Sequence, residues 1–103
     1  MKNTEKLKTF LNEIIEDKKV SEAVFKILEA KQEVLKQVDE VVDIDGLFNQ
    51  ITLELAIHGK PEDSQAYFQS IGASKIAESI ENIIGYFTLL SLYPEKKEGL
   101  LAA

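Results

Sequence analysis

The sequence predicts an all-α fold, a compact bundle of four to five helices, and three observations lead to this prediction. Apolar side chains recur at every third or fourth position through most of the chain, which is the spacing of one helical face. Residues that typically begin or end helices separate these stretches. No stretch alternates apolar and polar residues between turn residues, as a half-buried strand would.

A chain of 103 residues suits a single hydrophobic core. We therefore expect residues 1–94 to form one helical domain. The remaining segment, 95–103, is charged at first and then ends in small and apolar residues. We expect it to be a flexible C-terminal tail, with a short docking peptide as the alternative.

The first helix is expected near residues 4–17. Its apolar face follows the i, i+3, i+4, i+7, i+8 pattern through Leu7, Phe10, Leu11, Ile14 and Ile15. Asn3 or Thr4 can cap its start, because either side chain can accept a bond from a free backbone N–H group.

Ser21 is a good N-cap for a second, longer helix, whose apolar face continues as far as Val42. Lys31 interrupts that face, and we expect its aliphatic stem to lie along the apolar seam. Glu22 and Lys26 have the spacing and order of a stabilising i,i+4 ion pair. The valine-rich end of this helix could alternatively fray or become extended.

Asp43 or Asp45 is expected to cap a third helix that ends at Gly59. Its inward residues are Leu47, Phe48, Ile51 and Leu55. Pro61 fits the first turn of a short fourth helix, where its missing N–H group costs nothing, and Gly72 is expected to stop that helix.

Ser74 is expected to cap a fifth helix that ends at Pro94. Between residues 83 and 93 this helix is apolar on nearly every side, so it must be covered on nearly every side. One interpretation places it at the centre of the bundle. The other leaves one face open for a partner, with the candidate residues Tyr86, Leu89, Leu90 and Tyr93. Gly85 would allow another helix to approach closely.

The charge of the chain disfavours several classes of partner. The formal net charge is −6, and all basic residues are lysine. Residues 38–63 carry seven acidic residues against Lys60 alone, so this segment accounts for the net charge. An acidic chain without arginine is poorly equipped to bind nucleic acid or an anionic membrane surface.

We find no motif for catalysis or for cofactor binding. The chain has no cysteine, and none of its serines lies in a Gly-x-Ser-x-Gly elbow. Asp43, Asp45 and Gly46 resemble part of a calcium loop, but Val41 stands where that loop needs an oxygen ligand and Thr52 where it needs a glutamate. Helix capping explains the same residues, and we expect no metal and no cofactor.

The only histidine, His58, lies one helical turn after Glu54. A metal-binding or small-molecule-binding bundle that uses this pair is therefore one alternative function. Metal-binding bundles normally repeat such a pair or contain His-Glu-x-x-His, and neither pattern occurs here. A histidine in the last turn of a helix is also favoured by the helix dipole alone.

The function expected from the sequence is a non-enzymatic protein-interaction module: an adaptor, an inhibitor or a regulatory subunit. Its apolar anchor would be the 86–93 face, and Asp39, Glu40, Asp43 and Asp45 would bind a basic partner. A homo-oligomeric subunit is a second possibility. An immunity or antitoxin-like protein is a third, on analogy of size and helical class alone. No secretory signal or membrane span is recognisable, so we expect a soluble, cytoplasmic protein.

Overall fold

The computed structural model describes residues 2–55 and 61–92. Five helices form in these ranges: α1 (Asn3–Ile14), α2 (Lys18–Ala30), α3 (Gln32–Glu40), α4 (Ile44–Leu55) and α5 (Pro61–Leu92). The same ranges contain no β-strand, so the all-α prediction is confirmed. The predicted tail, Pro94, Gly59 and His58 lie outside the described residues.

The core forms where α5 packs against α2, α3 and α4, while α1 packs against α2, α3 and α4. Every described helix contributes fully buried apolar side chains, which include Leu7, Leu11, Val24, Leu28, Val38, Leu47, Ile51, Ile76, Ile80 and Ile84. No helix in the described part of the chain is long and apolar enough to cross a membrane.

Helix α1 begins earlier than predicted, and its capping residues have other partners. The N-cap is Lys2, which makes no side-chain cap bond. Asn3 Nδ2 instead donates to the carbonyl oxygens of Val38 and Val41, at 3.1 and 3.0 Å, near the end of α3. The prediction that Asn3 or Thr4 caps α1 is therefore wrong. Helix ends leave unpaired N–H and C=O groups, and here the end of α3 obtains its donor from the start of α1.

Asp39 supplies the acceptor in the opposite direction. Its Oδ1 atom accepts bonds from the backbone N–H of Thr4, at 3.0 Å, and from the Thr4 hydroxyl, at 2.8 Å. A carboxylate beside a helix N-terminus satisfies an unpaired donor and complements the helix dipole. We call this exchange of hydrogen bonds between the start of α1 and the end of α3 the α1–α3 junction.

The cap of α2 is Asp17, and the prediction of Ser21 is wrong. Asp17 Oδ1 accepts from the backbone N–H groups of Lys19 and Val20, at 2.9 and 3.4 Å. Ser21 lies one turn inside the helix, is 1% exposed, and donates to Asn12 Oδ1 at 2.7 Å. Both residues are good caps locally, but only the cap at Asp17 allows the extra turn of helix.

The long second helix of the sequence prediction is two helices, separated at Lys31. That residue has φ −99° and ψ 80°, which end α2. Its ammonium pairs with Glu81 on α5 at 2.6 Å. Glu22 and Lys26 do not come within ion-pair distance in the structure. Helix α3 then ends at Glu40, so Val42 is 87% exposed and does not continue the apolar face.

Asp43 caps α4, as one of the two predicted alternatives requires. Its Oδ1 atom accepts from the backbone N–H of Gly46 at 2.8 Å, and its carbonyl accepts from Leu47 at 3.1 Å. A Cβ atom at Gly46 would overlap the Asp43 carboxylate. The glycine therefore leaves room for the cap.

Helix α5 contains the predicted break. Gly72 has φ 82° and ψ 165°, a conformation that is not helical and that L-residues with a side chain rarely adopt. The break divides α5 into segments 61–71 and 73–92, as the sequence predicts. Ser74 lies inside the second segment, which begins directly after Gly72, so its predicted role as the N-cap is wrong.

Candidate functional site

The second segment of α5 has a buried side and an exposed side. Residues at i, i+3, i+4 and i+7 form the exposed side: Asn82, Gly85, Tyr86 and Leu89. Tyr86 and Leu89 are each 39% exposed, whereas Ile80 and Ile84 are fully buried. The neighbouring helices thus cover only part of this helix. We call the four exposed residues the α5 face.

Of the four predicted apolar anchors, two lie on the α5 face, one is buried, and one lies outside the described residues. Tyr86 and Leu89 are at its centre and end. Leu90 is next to Leu89 in sequence, but one residue turns a helix by about 100°, and its side chain is 8% exposed. Tyr93 lies outside the described residues.

A groove of about 360 Å³ runs between α4 and α5 beside this face. Its walls are formed by Gln50 and Glu54 of α4 and by Ser79, Asn82, Ile83 and Tyr86 of α5. Glu54 is the one charged residue among them. We call this surface the α4–α5 groove.

Leu53 extends the apolar surface on α4. Its side chain is 65% exposed, next in sequence to Glu54 and one turn after Gln50. The candidate residues predicted from the sequence do not include Leu53. It could have been found, because Leu53 does not share the stripe of Leu47, Ile51 and Leu55 that predicts the inward face of α4.

Gly85 adds free space to the α5 face. A Cβ atom built at this position would meet no other atom within 4 Å. The glycine is therefore not required by any packing inside the described part of the chain. Because Gly85 has no side chain, another helix could approach the α5 backbone closely between Asn82 and Leu89.

The four predicted acidic residues are not gathered at this groove. Asp39 holds Thr4 at the α1–α3 junction, and Asp43 caps α4. Glu40 and Asp45 are exposed. Asp45 borders a different groove, of about 340 Å³, which lies between α1 and α4 beside the stacked rings of Phe10 and Phe48.

Those two rings are nearly parallel, with centroids 4.4 Å apart. The two rings connect α1 to α4. The groove beside them is lined by one basic residue, Lys6, and two acidic residues, Glu13 and Asp45. All four acidic residues are therefore exposed, and two of them, Asp39 and Asp43, also accept hydrogen bonds that stabilise the fold.

The residues considered for metal binding do not form a site within the described ranges. No group of three His, Cys, Asp or Glu residues there is close enough to hold a metal ion. Asp43 and Gly46 belong to a helix start rather than to a calcium loop. Glu54 is exposed on α4, and His58 lies outside the described residues.

Comparison of the chain with protein-family models, with curated proteins and with solved structures finds no match.

Proposed function

We propose that this protein is a non-enzymatic interaction module that binds an amphipathic helix of another protein at the α4–α5 groove. One observation carries the proposal. The α5 face bears no charge over two helical turns, although 29% of the residues of the chain are charged. Surfaces depleted of charge and enriched in aromatic and large apolar residues are typical of the centres of protein interfaces.

The shape of the surface favours a helix as the bound element. Two adjacent helices form a groove in which a third helix can lie, and apolar anchors of a bound helix recur at one-turn spacing. Tyr86 lines the α4–α5 groove, and two further exposed apolar residues are close in sequence to its walls: Leu53 precedes Glu54 on α4, and Leu89 lies one turn after Tyr86 on α5. Gly85 leaves room for close approach of the partner backbone.

The charges around the groove favour a partner with basic residues beside its apolar stripe. Glu54 lines the groove, and Glu78 lies one turn before Asn82 on the same side of α5. No lysine lines the groove, and the whole chain carries −6. Charge complementarity would raise the rate of encounter and select against acidic helices.

The same charge supports the proposal that nucleic acid is not a partner, because a lysine-only, acidic chain is repelled by phosphate. We also propose a cytoplasmic location. The absence of cysteine is compatible with a reducing compartment.

The test compares two lysine substitutions at exposed apolar positions. Leu89→Lys changes the α5 face, and Val42→Lys changes an exposed apolar residue of the α3–α4 connection. Tagged wild-type and variant proteins are used to capture partners from the cells that make this protein, and mass spectrometry identifies them. Binding of the purified partner is then measured by calorimetry.

We expect a partner that binds the wild type and Val42→Lys equally and binds Leu89→Lys about 30-fold more weakly, since a charge in place of an apolar anchor costs about 2 kcal/mol. The bound segment should gain helicity. Equal binding of both variants would overturn the proposal. So would a wild type that sediments as a dimer while Leu89→Lys sediments as a monomer, because a second copy would then occupy the groove.

A further inference from the structure

The two segments of α5 meet at a single residue that is not helical. Residues 61–71 and 73–92 are both helical, and only Gly72, with φ 82° and ψ 165°, separates them. The space beside Gly72 is open, because a Cβ atom there would meet nothing within 4 Å. Helical φ and ψ angles at this one residue would join the segments into one helix of 32 residues, about 48 Å long.

The apolar faces of the two segments would not be aligned along such a continuous helix. Phe68 is buried in the first segment, and Ile80 and Ile84 are fully buried in the second. A helix turns by about 100° per residue, so Phe68 would stand about 120° from Ile80 and about 160° from Ile84 around the helix axis. The break at Gly72 therefore allows both faces to reach the same core.

A continuous α5 would need two cores, one for each of its apolar faces. A helix that is apolar on two sides must be covered on two sides. The described part of the chain forms one core cluster, to which both segments of α5 contribute. A second copy of the chain supplies the other core, because each core then holds the same residues as in the monomer.

The first segment is tied to the connection between α1 and α2 by hydrogen bonds. Gln65 Nε2 donates to the carbonyl oxygen of Ile14 at 2.9 Å, and Gln65 Oε1 accepts from the backbone N–H of Glu16 at 3.0 Å. Gln69 Nε2 donates to Asp17 Oδ2 at 3.4 Å. Both glutamines precede Gly72, so these bonds can remain within one chain when the second segment moves.

The second segment is held by contacts that a second copy can supply unchanged. Ile80 and Ile84 are buried where α5 packs against α2, α3 and α4. Glu81 pairs with Lys31, at the break between α2 and α3, at 2.6 Å. None of these contacts depends on whether the two sides belong to one chain or to two.

The residues beside Gly72 suit a length of helix that lies in water between two cores. Gln69 and Ser70 precede the glycine, Ser74 and Lys75 follow it, and all four side chains are exposed in the structure. Polar side chains at these positions lose no burial when the helix straightens. The middle of a continuous α5 is therefore compatible with solvent.

We propose that two copies of this chain exchange the second segment of α5, with Gly72 as the hinge. In the exchanged dimer, α5 is one continuous helix. Its first segment packs on its own chain, and its second segment packs on α2, α3 and α4 of the other copy. Such domain swapping is a low-cost route to a dimer, because it re-forms the contacts of the monomer. The α4–α5 groove is then formed by two chains.

Gly72→Ala should shift the chain toward the exchanged dimer. An alanine disfavours the positive φ of the break, and it favours a helix more than glycine does. Together these preferences should favour the open hinge about 30-fold in each chain, which lowers the dissociation constant of the two-hinge dimer about 1000-fold. Sedimentation velocity of the variant and the wild type at the same concentration measures the shift.

Gly85→Ala is the matched control, because it makes the same change within a regular part of the same helix. A Cβ atom at Gly85 would also meet nothing within 4 Å. This variant gains helix propensity but leaves the break as it is. It should therefore remain a monomer at the concentration at which Gly72→Ala is a dimer.

The ion pair between Lys31 and Glu81 reports whether the chains have exchanged. Chains labelled with ¹⁴N and with ¹⁵N are unfolded in urea, mixed in equal amounts and refolded. A carbodiimide then joins each lysine amine to a carboxylate in contact with it, and mass spectrometry identifies the linked peptides. In an exchanged dimer, about half of the Lys31–Glu81 links should join a light chain to a heavy one. In a monomer or an unexchanged dimer, every such link stays within one chain.

Two results overturn the proposal: a folded Gly72→Ala that remains a monomer, or a Gly72→Ala dimer without mixed links. If circular dichroism shows that this variant does not fold, the wild type refolded at its highest soluble concentration decides. Mixed links then support exchange, and their absence overturns it. Leu89→Lys separates this inference from the proposed function, because it should exchange as the wild type does. A dimer that Leu89→Lys abolishes would be held by the α5 face, and exchange would be wrong.

Discussion

The α1–α3 junction and the α5 face are surfaces of opposite kinds. At the junction, polar side chains make hydrogen bonds that no sequence pattern indicates. Asp39 accepts two hydrogen bonds from Thr4, and Asn3 donates to two carbonyl groups. At the α5 face, apolar side chains that would normally be buried stay exposed. Residues available to a partner are therefore those that the fold leaves without an internal role, whatever their polarity.

The largest expected difference in the free energy of unfolding is between substitutions on the buried side and on the exposed side of α5. Ile84→Ala removes a fully buried side chain and should lower the free energy of unfolding by about 2–4 kcal/mol through lost burial and a residual cavity. Leu89→Ala, on the exposed side, should change it by no more than about 1 kcal/mol. Urea denaturation followed by circular dichroism measures both. Similar losses would mean that Leu89 is part of the core.

Loss of the Asp39 carboxylate should destabilise the protein, although this side chain lies at the surface. Asp39→Ala removes the acceptor for both Thr4 donors and should cost about 1–2 kcal/mol. Glu40→Ala is the matched control, because Glu40 is exposed and has no such bond, and it should be nearly neutral. A Thr4→Val and Asp39→Ala double-mutant cycle measures the coupling between the Thr4 hydroxyl and Asp39, and zero coupling would contradict that bond.

The cap of α4 should show a smaller effect that depends on its glycine. Asp43→Ala should cost about 1 kcal/mol, whereas Asp45→Ala should cost less. Gly46→Ala in the wild type should raise the free energy of unfolding only slightly, because the new methyl group displaces the Asp43 carboxylate. In the Asp43→Ala background the same substitution should raise the free energy of unfolding by up to about 1 kcal/mol, because alanine has the higher helix propensity. Equal gains in both backgrounds would contradict the steric conflict.

The smallest expected effect is at the ion pair between Lys31 and Glu81. Both side chains are partly exposed, so Lys31→Ala should cost less than about 1 kcal/mol. The loss should shrink further at about 1 M salt, where charges are screened over about 3 Å. Urea denaturation at low and high salt checks this. A loss that is large and independent of salt would show that Lys31 acts through the helix break.

The features that could be predicted from sequence are those set by neighbouring residues. The helical spacing predicts the fold class, and Asp43 and Gly72 begin and end helices by local chemistry. The break at Lys31 has no glycine or proline to mark it. The partners of Asn3 and Thr4 are more than 30 residues away in sequence, so no local rule could find them.

In the candidate site, too, some features are indicated by the sequence and others depend on packing. Apolar residues around α5 indicate that some face is exposed, but only the packing of α5 against α2, α3 and α4 decides that Tyr86 and Leu89 are outside and Leu90 is inside.

Gly72 also has a stereochemical consequence. It is the one residue with positive φ in the described part of the chain, and a methyl group there would touch nothing within 4 Å. The barrier to substitution is therefore handedness alone. D-alanine favours the mirror-image region, so it should avoid the backbone strain of L-alanine, and it should stabilise the protein by reducing the freedom of the unfolded chain. A chemically synthesised chain with the mirror-image residue at position 72 should melt at a higher temperature than the natural one.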